Sequence, residues 1–365
     1  MKTEQLSAPQ IMTLTVSAIF GVDVLVVQRE LVTIARQDAW ISLALGGILI
    51  ILMGIVCYYL ACLYPNMDFP QIILHVCGKF FGRLLLLPAL VYDLLYTGLS
   101  LRIFAQALKM FLLSITPMVP IILFMALAAA YAVYKGIYTI GGIVDIIFPI
   151  CAVTALSIIV LPLRQTIFSN LKPILFENTG NVIKGILPGF HQFTGFGIIT
   201  FLFCYTRRTK GILKWYLAGL GIPIFLYVAL TMVTIMVFGP SDVQSLIYPT
   251  LTLAKSIEFP GTFLERVESF VAVLWIGIVF VSVVLFLFKS TRNITVFLGL
   301  DTKYQSFVIW TQIPLLLGIA LFIKNALEVI EFFSRMKYMD VILGLFVIPF
   351  VTAVALLKKR KETNQ

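Results

Sequence analysis

Apolar residues fall in ten long runs along the chain, at about 9–35, 40–63, 82–113, 118–134, 141–162, 185–205, 212–238, 264–289, 304–323 and 338–357. Most approach the roughly twenty residues that an α-helix needs to cross a bilayer. The pattern predicts an all-α polytopic membrane protein of about ten spans, with little of the chain outside the membrane. The third run exceeds what a bilayer requires, so it should tilt or project, and the fourth is short. Connections are short except at about 163–184 and 239–263. Nothing resembles a second domain, so residues 1–365 form a single membrane domain.

Composition agrees with this pattern. Of 365 residues 60% are hydrophobic and 12% are charged, and the mean hydropathy is +1.03. A soluble core of this size has no place for so much apolar surface, whereas membrane helices are solvated by lipid and need only their backbones paired. The net charge of +10 raises the question of nucleic acid. The basic residues lie in short clusters between apolar runs, however, which is the signature of membrane loops rather than of a nucleic-acid face. The first run continues past the length of a signal-peptide core, so no cleavable signal is expected. Cys57, Cys151 and Cys204 fall inside apolar runs, Cys62 at a helix end and Cys77 in a short loop. With no C-x-x-C pair and no histidine cluster, neither a disulfide framework nor a metal or other cofactor is expected.

Orientation follows from lysine and arginine. A cytoplasmic N-terminus places fifteen basic residues inside, among them Lys79, Arg83, Lys289, Arg292 and the Lys358–Lys361 tail. It places nine outside, including Arg266, Arg335 and Lys337. The excess favours that orientation, and an even number of spans puts both termini in the cytoplasm.

Two runs are interrupted at their centres, the first by Phe20-Gly21-Val22-Asp23 and the sixth by Phe193-Thr194-Gly195-Phe196-Gly197. Glycine weakens a helix, and an ionisable residue at mid-bilayer is costly enough to require a reason. Paired interruptions five helices apart point to an inverted-repeat transporter architecture with a midplane site. Unwound backbone offers free N–H groups and carbonyls to a ligand. The competing possibility is that these glycines only permit close packing.

Further polar residues lie in the first, third, fifth and eighth runs. Glu30, Arg102, Glu265, Arg266 and Glu268 form a mixed-sign set expected to pair as an outer charge network, Arg102 with Glu30 or Glu268. It serves either as a structural network or as a ligand vestibule. Asp93 and Asp145 are candidates for a proton relay or a cation, with a solvated helix end as the alternative for Asp145. Tyr92 and Tyr96, spaced i, i+4, offer hydroxyls to a ligand or simply pack. No nucleophile has a base beside it and no phosphate loop follows a strand, so an enzyme is not expected.

Several segments together resemble the spore germination permease family, the B subunits of nutrient germinant receptors in the amino acid–polyamine–organocation superfamily. They are Leu6-Ser7-Ala8-Pro9-Gln10, Arg29-Glu30-Leu31, Gln37-Asp38-Ala39-Trp40-Ile41, Leu101-Arg102 with Ala105, Gly195-Phe196, and Leu264-Glu265-Arg266-Val267-Glu268-Ser269 with Trp275. Each is weak alone; their order and spacing across most of the chain are specific. The resemblance implies a leucine-transporter-like fold of two inverted five-helix halves, about 9–162 and 185–357, with discontinuous first and sixth helices. It implies a pocket formed by the first, third, sixth and eighth helices, drawn here from Gly21, Val22, Asp23, Tyr92, Tyr96, Thr194, Gly195, Phe196 and Gly197. It further implies residence in the inner spore membrane beside A and C subunits, where a small nutrient, commonly an amino acid, triggers germination. The chain departs from its relatives where they tend to carry Gly-x-Gly and a proline before Arg-Glu; here stand Gly21-Val22-Asp23 and Gln28. An aspartate there repels a ligand carboxylate unless neutralised, and favours an amine. A ligand-sensing subunit and a secondary amino acid transporter coupled to H⁺ or Na⁺ both fit, since the fold does not choose between them.

Overall fold

The computed structural model describes residues 5–175, 179–207, 209, 211–256, 267–323 and 325–363. The first helix, α1 (Ala8–Ile19), opens on a capping box in which Ser7 and Gln10 each bond the other's backbone, with Pro9 in its first turn. It stops at Phe20-Gly21-Val22, and α2 (Asp23–Ala35) completes the first span. A 3₁₀ turn at Arg36–Asp38 leads into α3 (Ala39–Leu63), the second span. The short helix α4 (Phe69–Cys77) has a capping box of its own, Asp68 with Gln71. The third span, α5 (Lys79–Phe111), has 33 residues and is therefore about 50 Å long, more than hydrocarbon thickness requires. Then come α6 (Met118–Lys135) and α7 (Ile137–Val160).

The second half begins with α8 (Thr179–His191), a non-helical turn, and α9 (Ile199–Leu202) between 3₁₀ turns; together they make the sixth, interrupted span. The seventh, α10 (Ile212–Ser245), kinks where Gly239 adopts φ 76° before Pro240. A short helix, α11 (Pro249–Lys255), precedes α12 (Val267–Leu298), the eighth span. The ninth is α13 (Gln305–Phe322), followed by short α14 (Ala326–Arg335). The tenth passes from α15 (Lys337–Val341) through a π-helical stretch, Ile342–Val347, into α16 (Ile348–Thr363).

Among the described residues, nine stretches are long and apolar enough to cross a membrane. One of them, Asp23–Leu63, joins the second half of the first span to the second span, and Ala8–Ile19 supplies the missing half. Ten crossings result. The first span packs through α1 against α10 and α7, while α5 packs against α12 and α13, and α3 against α8. The outside exposes large apolar side chains such as Phe124, Phe225 and Phe346, which only lipid solvates without cost.

Three boundaries differ from those expected of the sequence. The eighth span continues to Leu298, because Lys289, half-buried, and Arg292, buried, are paired inside the protein rather than lying in a loop. Two of the fifteen inside charges are thereby removed from the orientation argument. The seventh span runs to Ser245, and Cys77 ends α4 instead of lying in a loop. All five cysteines are unpaired.

Candidate functional site

The two interruptions meet. Gly195 holds a left-handed backbone, φ 101° and ψ −14°, which side chains disfavour. A Cβ there would stand 2.5 Å from the Ala18 carbonyl oxygen, so the sixth span lies directly on the first, just before its break. Gly21 is equally confined: a Cβ there would lie 2.6 Å from Ser282 Oγ of α12 and 3.1 Å from the Tyr96 hydroxyl of α5. Four spans thus converge on one point.

The carbonyls freed by these breaks are partly taken. The Tyr227 hydroxyl donates to Ile19 O at 3.1 Å, and that of Tyr216 to Phe196 O at 2.6 Å. Both tyrosines come from α10. These two carbonyls of the unwound backbone are therefore satisfied by the protein's own hydroxyls, which shifts the burden of recognition to side chains.

Those side chains are polar and buried. The Tyr96 hydroxyl donates to Asp23 Oδ2, while Asp23 Oδ1 has no hydrogen-bond partner among the described residues. Tyr92 and Thr194 share a hydroxyl–hydroxyl bond of 2.6 Å, so α5 touches both interruptions through tyrosines one turn apart. His191 Nδ1 lies 3.5 Å from Asp340 Oδ2 across the interface between α8 and α15, and neither His191 nitrogen is hydrogen-bonded among the described residues. Asp93 accepts from Lys289 Nζ and from Asn293 Nδ2, both at 2.8 Å and both on α12. The Lys289 ammonium also sits 4.2 Å from the Phe286 ring centre, a cation–π contact.

A cavity of about 60 Å³ lies among these groups, lined by Tyr92, Asp93, Thr194, Gly195, Lys289 and Asp340. That is room for a few waters. Phe196, Gly197, Thr200 and the rings of Phe69 and Phe201 also line it, with apolar residues of the tenth span. Of the residues singled out from sequence, Tyr92, Asp93, Thr194, Gly195, Phe196 and Gly197 line it. Tyr96, Asp23 and Gly21 adjoin one another behind it, and Val22 is fully buried. Lys289 and Asp340 were not expected there. Both had visible signals: Asp340 stands in the tenth apolar run, and Lys289 at the end of the eighth.

Polar contacts also close both ends of this region. On one side Glu30 accepts from Gln192 at 2.9 Å, from Ser334 at 2.5 Å and from Lys337 at 3.3 Å. The first span is thereby tied to the sixth span, to α14 and to α15. Glu30 is thus engaged away from Arg102, so the expected Arg102–Glu30 pair is not formed. Glu265 and Arg266 lie outside the described residues, as does the side chain of Glu268. On the other side Arg292 Nε and Nη2 donate to Asp68 Oδ2 at 2.6 and 2.5 Å, tying α12 to the start of α4. Asp145 stays exposed and accepts from Gln10 Nε2 at 2.8 Å, a contact between α7 and α1.

Comparison with known proteins gives concordant results. A family model described as spore germination protein matches residues 5–329. Spore germination protein A2 of Bacillus subtilis (strain 168) is 25% identical over 365 residues, 99% of this chain and 98% of that protein. Spore germination protein YndE of the same organism is 27% identical over 297 residues, 80% and 81% of the two chains. Among solved structures, the chain is similar to Mhp1, a nucleobase-cation-symport-1 family transporter in a closed conformation with bromovinylhydantoin bound. The TM-score is 0.69 at 11% identity, over 94% of this chain and 78% of that one. It is also similar to the Eremococcus coleocola manganese transporter, with a TM-score of 0.62 at 11% identity, over 94% and 74%. At such identity these structures establish a shared leucine-transporter-like fold.

Proposed function

The chain belongs to the spore germination protein family, and we propose that it is the ligand-sensing membrane subunit of a nutrient germinant receptor. In this reading it resides in the inner spore membrane beside A and C subunits. A small nutrient of the amino acid class occupies an enlarged form of the cavity between the interrupted spans. One observation carries the reading: Asp23, fully buried between the two breaks, keeps a carboxylate oxygen without a partner. A membrane interior holds such a group only for a reason. Asp340 and Asp93 add two further carboxylates nearby, against the imidazole of His191 and the ammonium of Lys289. This excess of acid favours a ligand that brings an amine. Binding that draws Asp23, Thr194 and Asp340 together shifts the relation of the first, sixth and tenth spans, and partners read that shift.

The test is germination, or direct binding, as a function of nutrient concentration at matched receptor abundance. Asp23→Asn is expected to leave the protein folded and to shift ligand sensitivity at least about tenfold, the loss of one charge-assisted hydrogen bond. An unchanged dose response removes Asp23 from the ligand site.

The shared transporter fold favours one alternative, a secondary amino acid transporter driven by H⁺ or Na⁺. Proteoliposomes separate the two: gradient-driven accumulation of labelled amino acid above equilibrium supports transport, and binding without accumulation supports sensing.

Orientation has its own test. With both termini cytoplasmic, the exposed end of α10 faces outward. A membrane-impermeant thiol reagent added outside is expected to label Ser245→Cys and to spare Lys214→Cys. The reverse pattern inverts the topology.

A further inference from the structure

The first turns of α5 carry an arrangement that ligand sensing does not use. Lys79 and Arg83 are one turn apart on the same helix face, exposed to the surroundings. Neither forms an ion pair among the described residues. They sit at the positive end of a 33-residue helix, where the backbone dipole favours anions over cations. Among the described residues no acidic side chain offsets this pair. Arg83 is directed toward the closing turn of α12, where its Nη2 lies 3.5 Å from the Cβ position of Gly299.

A groove of about 390 Å³ runs from this cationic pair along the side of the protein. Beyond Lys79 and Arg83 its lining is hydrocarbon and aromatic: Phe80, Leu84 and Leu87 of α5, and Phe297 from the last turn of α12. From Lys79 to Leu87 the helix rises about 12 Å, passing from two cations to apolar side chains. Phe80 and Leu84 are 78% and 60% exposed, and this surface belongs to a membrane-spanning helix. A soluble anion would match only the cationic end, and a neutral lipid only the apolar end.

We propose that this groove is a binding site for one anionic phospholipid. Its phosphate lies between Lys79 and Arg83, and an acyl chain lies against Leu84, Leu87 and Phe297. The charge complementarity and the polar-to-apolar order both match that chemistry, and basic pockets between membrane helices suit such headgroups. The site would link the lipid to the α5–α12 contact that carries the Asp93–Lys289 pair. The proposal rests on membrane embedding alone and is independent of the nutrient reading.

The experiment is native mass spectrometry of the purified full-length chain in detergent. It is titrated with phosphatidylglycerol or with phosphatidylcholine of identical acyl chains. The first phosphatidylglycerol is expected to bind about thirtyfold more tightly than phosphatidylcholine, from roughly fivefold per basic residue. Lys79→Gln with Arg83→Gln is expected to abolish that preference, and Lys214→Gln, an exposed cation elsewhere, to leave it intact. Inorganic phosphate in excess should not displace the lipid. Three results overturn the proposal: no preference in the native chain, a preference that survives the double substitution, or displacement by phosphate alone. The last would reveal an anion site without a lipid component.

Discussion

Lys289→Met is expected to deplete the protein from the membrane. Removing the ammonium leaves Asp93, which is 2% exposed, with only the Asn293 amide as a close partner. Breaking one partner out of a buried ion pair typically costs about 3–5 kcal/mol, against a total stability of about 5–15 kcal/mol. The Phe286 ring, now facing the ammonium at 4.2 Å, gives a carboxylate no substitute. Adding Asp93→Asn to Lys289→Met removes the stranded charge. The double variant is expected to recover most of the accumulation, since a pair removed together costs far less than either half. Immunoblots of membrane fractions and the thermal midpoint of purified protein measure both effects. Normal accumulation of Lys289→Met would mean the pair carries little stability, and a ligand response lost in that variant would assign it to function.

This pair also marks where the sequence was legible and where it was not. Ten apolar runs were readable because lipid-facing and interior positions of a membrane helix are apolar alike, so length alone signals a span. The interruptions at Gly21 and Gly195 were readable because each glycine weakens its helix at mid-run beside a polar side chain that lipid does not solvate. Lys289 and Arg292 were assigned to a loop for the same reason inverted: a charge near the end of a run usually marks the membrane face. Their partners, Asp93 and Asp68, are 196 and 224 residues away in sequence. No local pattern encodes such a pairing. Glu30 shows the converse. Its charge was visible, and Arg102 was an expected partner, as it was for Glu268. The fold instead brings Ser334 and Lys337 to it, from over 300 residues away. Asp340 escaped notice because it follows Lys337 and Tyr338 at the start of a run, where an acid reads as solvated. The π-helical stretch from Ile342 and the contact with His191 are tertiary facts. Both breaks are unwound in the structure, yet Tyr216 and Tyr227 already occupy two of the carbonyls they free. Both are in the seventh apolar run, where tyrosine reads as packing.

Gly195→Ala is expected to have the largest effect on ligand response, and comparison with Gly197→Ala isolates its cause. At φ 101° an alanine carries backbone strain of roughly 1–2 kcal/mol. Its Cβ would also stand 2.5 Å from the oxygen and 2.8 Å from the carbon of the Ala18 carbonyl. Those are backbone atoms of α1 and cannot swing aside as a side chain does, so the first span must move relative to the sixth. Ala18 is five residues before Asp23, and any such movement displaces the Asp23–Tyr96 and Tyr92–Thr194 contacts together. Loss of both, added to the strain, should raise the nutrient concentration for half-maximal response at least about a hundredfold, roughly 2.7 kcal/mol. Gly197 lines the same cavity, but a Cβ there would have its nearest neighbours at 3.8 Å, Ile348 Cδ1, and 3.9 Å, Cys57 Sγ. That is ordinary contact distance, so Gly197→Ala is expected to accumulate normally and stay within about threefold of the native response, about 0.7 kcal/mol. Dose–response curves for the two variants at matched abundance make the measurement. Equal responses would show that the contact between the interrupted spans does not control the site, and recognition would then reside in the Asp340 and Lys289 side of the cavity.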